Sequence, residues 1–296
     1  MSNHFRSMFI FLMMAVAFTS MGAGKKDDKA REPDAALFLA PLNDSLNIDA
    51  GTLETRFSLD YSFDEYLRPE ASNCSPFFFL QIYNKDGSPH GKNEKDPVVC
   101  ILMHQGTGIH RFFFGNADYF LETKAPSPAK HKGFSFPGSK EAGTWISQGE
   151  WHSLAVTWKV EKEALHVEMF LDGKLRNHYA FTTKDTGIRP LSKDDLLGIG
   201  DLGLSPATIL SYRLSNRVRT KEEIASEDPL KPDEATTFFL DGETAAKFGS
   251  FDRKDFEKMS KKGKMDLKKN GAFFGKFKIV DTPKGKAVQF YDKLSR

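Results

Sequence analysis

Short apolar runs separated by turn residues dominate the chain from residue 36 onward. Most runs have roughly five to eight residues, and Gly, Pro, Asn and Asp separate each from the next. The runs lie at residues 36–42, 52–63, 77–83, 98–104, 110–115, 152–158, 164–171, 175–181, 196–200 and 208–214. Strand-length runs without alternating helical patterns predict an all-β sandwich.

The run at 52–63 shows the clearest alternation of apolar and polar residues. Leu53, Phe57 and Leu59 share one parity, whereas Arg56 and Ser58 have the other. Successive side chains of a strand point to opposite faces of the sheet. The pattern therefore predicts one buried and one solvated face.

A β-hairpin is predicted around the Asp-Gly dipeptide at 172–173. A strict two-residue loop would pair apolar residues of one strand with polar residues of the other. A register that differs by one residue moves every side chain of a strand to the other face, so the loop length decides which residues are paired. A three-residue loop instead pairs Leu171 with Leu175 and Val167 with Tyr179. We favour this second register because one face of the hairpin is then consistently apolar.

The N-terminus has the pattern of a secretory signal peptide at residues 1–23. Arg6 precedes an apolar run at 8–18, and small residues follow before the chain turns polar at Lys25. The run is too short for a membrane anchor, and no later run is long and apolar enough to cross a bilayer. Residues 24–35 are charged and predict a disordered leader.

The C-terminal part of the chain changes character after the main sandwich, predicted at 36–228. One short helix is expected at 220–225, where Thr220 and Glu223 have the spacing of a capping box. A Pro-containing linker follows at 229–235. Residues 236–296 are either a C-terminal extension that adds strands to the sandwich or the start of a second module.

Composition narrows the choice of partners. The formal net charge is +2 with both signs interspersed, which argues against nucleic acid as a partner.

Because export favours oxidation, Cys74 and Cys100 are candidates for a disulfide. A hairpin that pairs residue 84 with residue 97 puts Cys100 opposite Gln81, so a bridge requires the chain to fold back near Pro76.

Residues 149–179 resemble the central hairpin of laminin-G-like domains in the concanavalin A-like lectin and glucanase superfamily. The matching residues are Trp151, His152, Ala155, Val156, Thr157, Trp158, Asp172, Gly173 and Lys174. Of these, Trp151 and Trp158 are expected to lie in the core. Residues 40–60 and 211–226 resemble the opening strands and the closing strand with its helix. The resemblance implies a two-sheet antiparallel jelly roll, although residues 206–210 lack the acid that many relatives carry there.

The sequence gives little support for catalysis. It contains no E-x-D-x-E pattern of the kind that retaining glycosidases place on one strand, and the segment at 60–66 comes nearest. The segment at 104–111 offers His104, His110 and Arg111 as bases for a polysaccharide lyase.

Candidate binding residues lie between the predicted strands. The Gly- and Pro-containing stretch before Trp151 offers side chains that can stack on sugar rings or bind hydroxyl groups: Asn116, Asp118, Tyr119, Trp145 and Gln148. A candidate calcium site comprises three acids near the glycines at 198 and 200, namely Asp194, Asp195 and Asp201.

Together these features favour an exported, non-catalytic binding or adhesion module, secreted or periplasmic, with a glycan or another cell-surface ligand as its partner. The alternative is a glycan-active enzyme, a polysaccharide lyase or a glycoside hydrolase, on the same fold.

The export hypothesis predicts that the mature chain begins near Gly24 or Lys25, because cleavage follows the small residues after the apolar run. N-terminal sequencing of protein recovered from its native host measures this directly. An intact Met1 on cytoplasmic protein would contradict it.

Overall fold

A computed structural model describes residues 35–43, 45–59, 76–89, 98–104, 109–115, 149–182, 191–200, 202, 207–226, 229–263, 265, 267 and 271–290. The strands within these ranges are β1 (Ala36–Pro41), β2 (Ala50–Leu59), β3 (Pro76–Tyr83), β4 (Val98–His104), β5 (Ile109–Gly115), β6 (Trp151–Glu161), β7 (Ala164–Leu171), β8 (Lys174–Thr182), β9 (Leu196–Gly200), β10 (Ala207–Ser215), β11 (Thr236–Asp241), β12 (Gly249–Phe251), β13 (Ala272–Gly275), β14 (Lys278–Thr282) and β15 (Gly285–Gln289). The helices are α1 (Lys221–Ser226), α2 (Gly242–Ala245) and α3 (Arg253–Lys261).

The strands form two sheets, and the predicted jelly-roll sandwich is confirmed. One sheet has the order β12-β13-β1-β9-β3-β4-β5, and the other has the order β14-β15-β10-β2-β6-β7-β8. β11 also joins the second sheet by pairing with β10. The pairing is antiparallel except between β12 and β13, which run parallel.

The core lies between the two sheets and is rich in phenylalanine. Phe57 of β2 packs edge-on against Phe79 of β3, with ring centroids 5.0 Å apart. Phe38 of β1 packs against Phe273 of β13 at 4.8 Å. Interlocked aromatic rings of this kind bury large apolar areas and add geometric specificity.

β2 is buried on both faces, so the predicted solvated face is wrong. Glu54 and Arg56 lie on the face that points away from the core, yet they are only 0% and 6% exposed. Helix α1 lies over this face, and its Ile224 packs against Ala155 and Phe170. Alternation along one strand reveals which residues share a face but not what covers that face.

The β7–β8 hairpin combines features of both registers considered from the sequence. Leu171 pairs with Lys174 across a two-residue turn at 172–173, so the predicted pairing with Leu175 is wrong. A bulge follows between Met169 and Phe170, and beyond it Val167 pairs with Tyr179 as predicted. The extra residue of the bulge shifts the register by one and restores the apolar pairing.

Strands from residues 236–290 pair with strands of both sheets. β13 pairs with β1 in one sheet, while β11 and β15 share one edge of β10 in the other. The predicted capping box of α1 is confirmed, since the Thr220 N–H donates to Glu223 Oε2 at 2.8 Å. Sequence patterns missed α2 and α3, each of which has a capping box of its own.

Replacing Phe290 by alanine tests whether the C-terminal strands belong to the core. Phe290 is fully buried, packs against Phe77 and Phe273, and its backbone bonds to Ala36 and Ala207. The change should lower the free energy of unfolding by about 3–5 kcal/mol, measured by chemical denaturation.

The control is Lys286→Ala in the neighbouring strand β15, whose exposed side chain should matter little. A loss below about 1 kcal/mol for Phe290→Ala would mean that this region contributes little to the stability of the sandwich.

Candidate functional site

One end of the sandwich brings together the end of β2, the start of β6 and the β7–β8 turn. Gly149, the first described residue after 116–148, donates its N–H to the Leu59 carbonyl at 2.8 Å. The N–H of Asp172 in the turn donates to Ser153 of β6 at 2.9 Å. Gly149 therefore enters the second sheet at the same end as this turn.

The five residues predicted to bind glycan precede this junction in sequence. Asn116, Asp118, Tyr119, Trp145 and Gln148 lie outside the described residues. Their role stays a prediction. The candidate lyase residues His104, His110 and Arg111 lie on β4 and β5, and only their backbone is described.

His152 and Asp172 form a polar pair at this end of the sandwich. His152 Nδ1 lies 3.0 Å from Asp172 Oδ2, and the Ser153 N–H donates to Asp172 Oδ1 at 2.9 Å. An ionised carboxylate only accepts hydrogen bonds, so Nδ1 is the donor. Nε2 is buried and has no hydrogen-bond partner among the described residues.

The backbone of the turn explains why Asp172 sits where it does. Asp172 and Gly173 have φ angles of 53° and 68°, which is the conformation of a type I′ turn. Asp tolerates the left-handed region better than most residues. Burial alone would raise the pKa of Asp172, but the hydrogen bonds from His152 and the Ser153 N–H outweigh it and hold the pKa below 3.8.

The two described tryptophans of β6 have different surroundings. Trp158 is buried in the core, as predicted, and its Nε1 donates to the Asn47 carbonyl at 2.9 Å. Trp151 is only half-buried on the opposite face of the strand, so the expectation that it belongs to the core is wrong. The parity of Trp151, which is opposite to that of Leu154 and Trp158, could have shown this.

A turn before β9 contains two of the three acids predicted to bind calcium. The buried Asp195 accepts the Ser192 N–H at 2.7 Å through Oδ2, whereas Asp194 is exposed. Asp201 lies outside the described residues. Over the described ranges, no group of three His, Cys, Asp or Glu side chains could hold a metal ion. The calcium site stays a prediction.

The predicted disulfide receives no support from the structure. Cys100 is buried in β4 and pairs with Gln81 of β3, which is the register predicted from the sequence. The part of the chain that the structure describes contains no disulfide. Cys74 falls outside that part.

A charged network fastens residues 216–235 to the outer face of the second sheet. Buried Glu54 of β2 accepts a hydrogen bond from Arg213 Nε at 2.8 Å through Oε2. The same Oε2 forms an ion pair with Arg219 Nε at 3.1 Å. Arg219 also donates to Asp233 at 2.7 Å, and Arg213 donates to the Lys231 carbonyl at 2.6 Å. This network joins β2 and β10 to the covering segment, so its place in the fold is structural.

Comparisons with known proteins find similarity only among solved structures. No protein-family model matches the chain, and no curated protein matches it. A heptameric SAP-like pentraxin from Limulus polyphemus is 8% identical, with 72% of this chain and 87% of the pentraxin covered and a TM-score of 0.33. An alginate lyase from Klebsiella pneumoniae is 12% identical, with 56% of this chain and 59% of the lyase covered and a TM-score of 0.23.

These similarities are too weak to carry function, and the fold is established by the strand pairing of this chain. No helix within the described residues is long and apolar enough to span a membrane.

Replacing Asp172 by asparagine tests the His152–Asp172 pair. Asn-Gly suits a type I′ turn, so the change removes the charge and keeps the backbone. A carboxylate with a lowered pKa stabilises the folded state above its ordinary pKa of 3.8, and this stabilisation is lost as the pH falls. Asp172→Asn should therefore be less stable than wild type at pH 7, and the gap should narrow below about pH 4.

Urea denaturation at a series of pH values measures this difference. Asp194→Asn is the control, because that side chain is exposed and outside the pair. If the free energy of unfolding varies with pH in the same way for wild type and Asp172→Asn, the interaction of the carboxylate with His152 does not stabilise the fold.

Proposed function

We propose that this protein is an exported glycan-binding module of the laminin-G-like type, secreted or periplasmic, that binds through loops at one end of its sandwich. The observation that carries the proposal is that the protein covers much of the outer face of each sheet with its own chain. We therefore expect the glycan to bind at an end of the sandwich.

The outer face of the second sheet is closed over its central strands. Helix α1 packs on β6 and β7 through Ile224, and the network around Glu54 holds residues 229–235 against β2 and β10. A long polysaccharide cannot lie across these strands without displacing the network. Breaking such a network leaves buried charges unpaired, at a cost of about 3–5 kcal/mol.

The outer face of the first sheet is covered in a similar way over β1, β9 and β13. Leu37, Leu39 and Phe274 pack there under Phe256 and Met259 of α3. A binding cleft across these strands is therefore filled by the protein itself.

The end of the sandwich near Gly149 offers the alternative. Gln148 adjoins Gly149 in sequence and Trp145 lies four residues before it, a length of chain that reaches at most about 14 Å. A tryptophan ring can stack on the apolar face of a sugar, while Gln148 can bind its hydroxyl groups. Loops on a rigid scaffold commonly carry such contacts.

The laminin-G-like assignment is supported by contacts among the motif residues. His152 of the Trp-His step bonds to Asp172 of the Asp-Gly-Lys step, twenty residues later. Trp158, at the end of the first motif, packs so closely that a Cβ on Gly51 would lie 2.2 Å from its ring. The motif residues thus join β6 to the β7–β8 hairpin through His152 and to β2 through Trp158.

A glycan-active enzyme is the second candidate, and the His152–Asp172 pair is the observation that favours it. A carboxylate that orients an imidazole through Nδ1 also supports a general base, and here the buried Nε2 would have to become exposed before it could reach a substrate. A polysaccharide lyase would use such a base to remove a proton beside a uronate carboxyl group.

A glycan array tests the binding function, with assays for unsaturated uronate and new reducing ends run in parallel. The proposal expects binding to at least one glycan class without turnover. Turnover by wild type that is lost in His152→Gln would replace the binding module by the enzyme.

Two tryptophan variants distinguish a binding loop from the core. Trp145→Ala should keep the thermal midpoint near that of wild type and weaken glycan retention by roughly tenfold, because stacking one ring face contributes about 1–2 kcal/mol. Trp158→Ala should cost about 3–5 kcal/mol of stability. Thermal melting and affinity electrophoresis measure the two effects, and equal melting losses would place Trp145 in the core.

A further inference from the structure

We propose that the exposed face of helix α3 binds a linear anionic polysaccharide through Lys254, Lys258 and Lys261, here called the lysine stripe. The proposal rests on the proposed function in taking a glycan as the ligand. It adds the class of glycan and a second surface, separate from the loops near Gly149.

Positive charge is concentrated in the C-terminal part of the chain. Residues 252–290 contain twelve Lys and Arg against five Asp and Glu, whereas the whole chain has a net charge of only +2. The remainder of the protein is therefore slightly acidic. Where such charge is exposed together on one face, it attracts polyanions without making the whole molecule basic.

The lysine stripe is a regular array on a fixed support. Its members lie within about 60° of arc on the helix and rise about 10 Å along the axis. All three are exposed. On the opposite side Phe256 packs edge-on against Phe274 of β13, with ring centroids 5.4 Å apart, so the helix is anchored to the sheet.

The acidic residues of this region form no ion pair with the stripe lysines among the residues that the structure describes. Asp252 and Asp255 form the capping box at the start of the helix, and Glu257 lies 3.9 Å from Arg253. None of the three stripe lysines forms an ion pair with a residue that the structure describes. Their charge is available to a ligand.

Helix stability does not explain the arrangement of the stripe. Cations stabilise the last turn of a helix, where Lys258 and Lys261 lie. Lys254 lies in the first turn, where the partial positive charge of the helix end repels a cation. The complete stripe is therefore better suited to an external anion than to the helix itself.

The surroundings of the stripe favour a polysaccharide over a membrane or a nucleic acid. Amphipathic helices bind bilayers by burying their apolar face in lipid, but the apolar side of α3 already packs on the sheet. Proteins that bind single-stranded nucleic acids use exposed aromatic rings for base stacking. Phe256 of α3 packs against Phe274 and does not offer its ring to a base. A polysaccharide that bears uronate or sulfate groups requires only cationic side chains and hydrogen-bond donors at regular spacing on the protein.

The test compares two triple variants with equal loss of charge. Lys254→Gln/Lys258→Gln/Lys261→Gln removes the stripe with little change in helix propensity. Lys162→Gln/Lys221→Gln/Lys231→Gln removes three exposed lysines away from both proposed surfaces and is the control. Binding of the purified protein to polygalacturonate, dextran sulfate and uncharged dextran is measured by calorimetry, with anionic vesicles and single-stranded DNA as further ligands.

We expect binding to the two anionic polysaccharides and not to uncharged dextran. The stripe variant should lose about tenfold or more in affinity, the control should stay near wild type, and binding should weaken between about 50 mM and about 300 mM salt. Circular dichroism verifies that both variants remain folded.

Four outcomes overturn the proposal: no binding to either polyanion, equal losses in both triple variants, stripe-dependent binding that is tighter for vesicles or for DNA, and equal binding to uncharged dextran. If the glycan array detects only neutral ligands that depend on Trp145, the proposed function stands and the lysine stripe proposal fails. If no glycan of any kind binds, both fail.

Discussion

β2 and β10 are buried on both faces, and the rest of the structure depends on how their outer face is closed. Their inner side chains enter an apolar core, but Glu54 and Arg213 point outward and are shielded from water by residues 216–235. Charges removed from water must be paired and hydrogen-bonded. Arg219 meets this requirement by bonding to both Glu54 and Asp233, which ties the covering segment to the sheet.

This closure also determines where a ligand can bind. With α1 over one sheet and α3 over the other, the protein occupies positions that a cleft across β2, β6, β10 or β13 would need. Over these described strands, the ends of the sandwich and the exposed faces of the covering elements remain open to a ligand. The two proposed surfaces, near Gly149 and on α3, are of these two kinds.

Local signals predicted much of the fold, whereas contacts distant in sequence did not follow from them. The bounds of β4, β7 and β9 follow from apolar runs between turn residues, and the α1 capping box from Thr220 and Glu223. The cover over Glu54 was missed, because alternation within β2 carries no information about residues 216–235. Helix α3 was missed because its apolar face amounts to little more than Phe256 and Met259 among lysines, and the glycan-binding residues lie outside the described ranges.

The carboxylates that hold the covering segment respond to acid, although the core of the sandwich does not. The hydrogen bond from Arg219 lowers the pKa of Asp233, and hydrogen bonds from Arg217 and the Thr220 N–H lower that of Glu223 to about 2. Burial raises the pKa of Glu54 despite its arginine neighbours. Asp233 and Glu223 stabilise the fold above their ordinary pKa values and lose this effect as the pH falls. Asp233 and Glu223 therefore make the closure of the outer face firmer at neutral pH than in acid, whereas the raised pKa of Glu54 acts in the opposite direction.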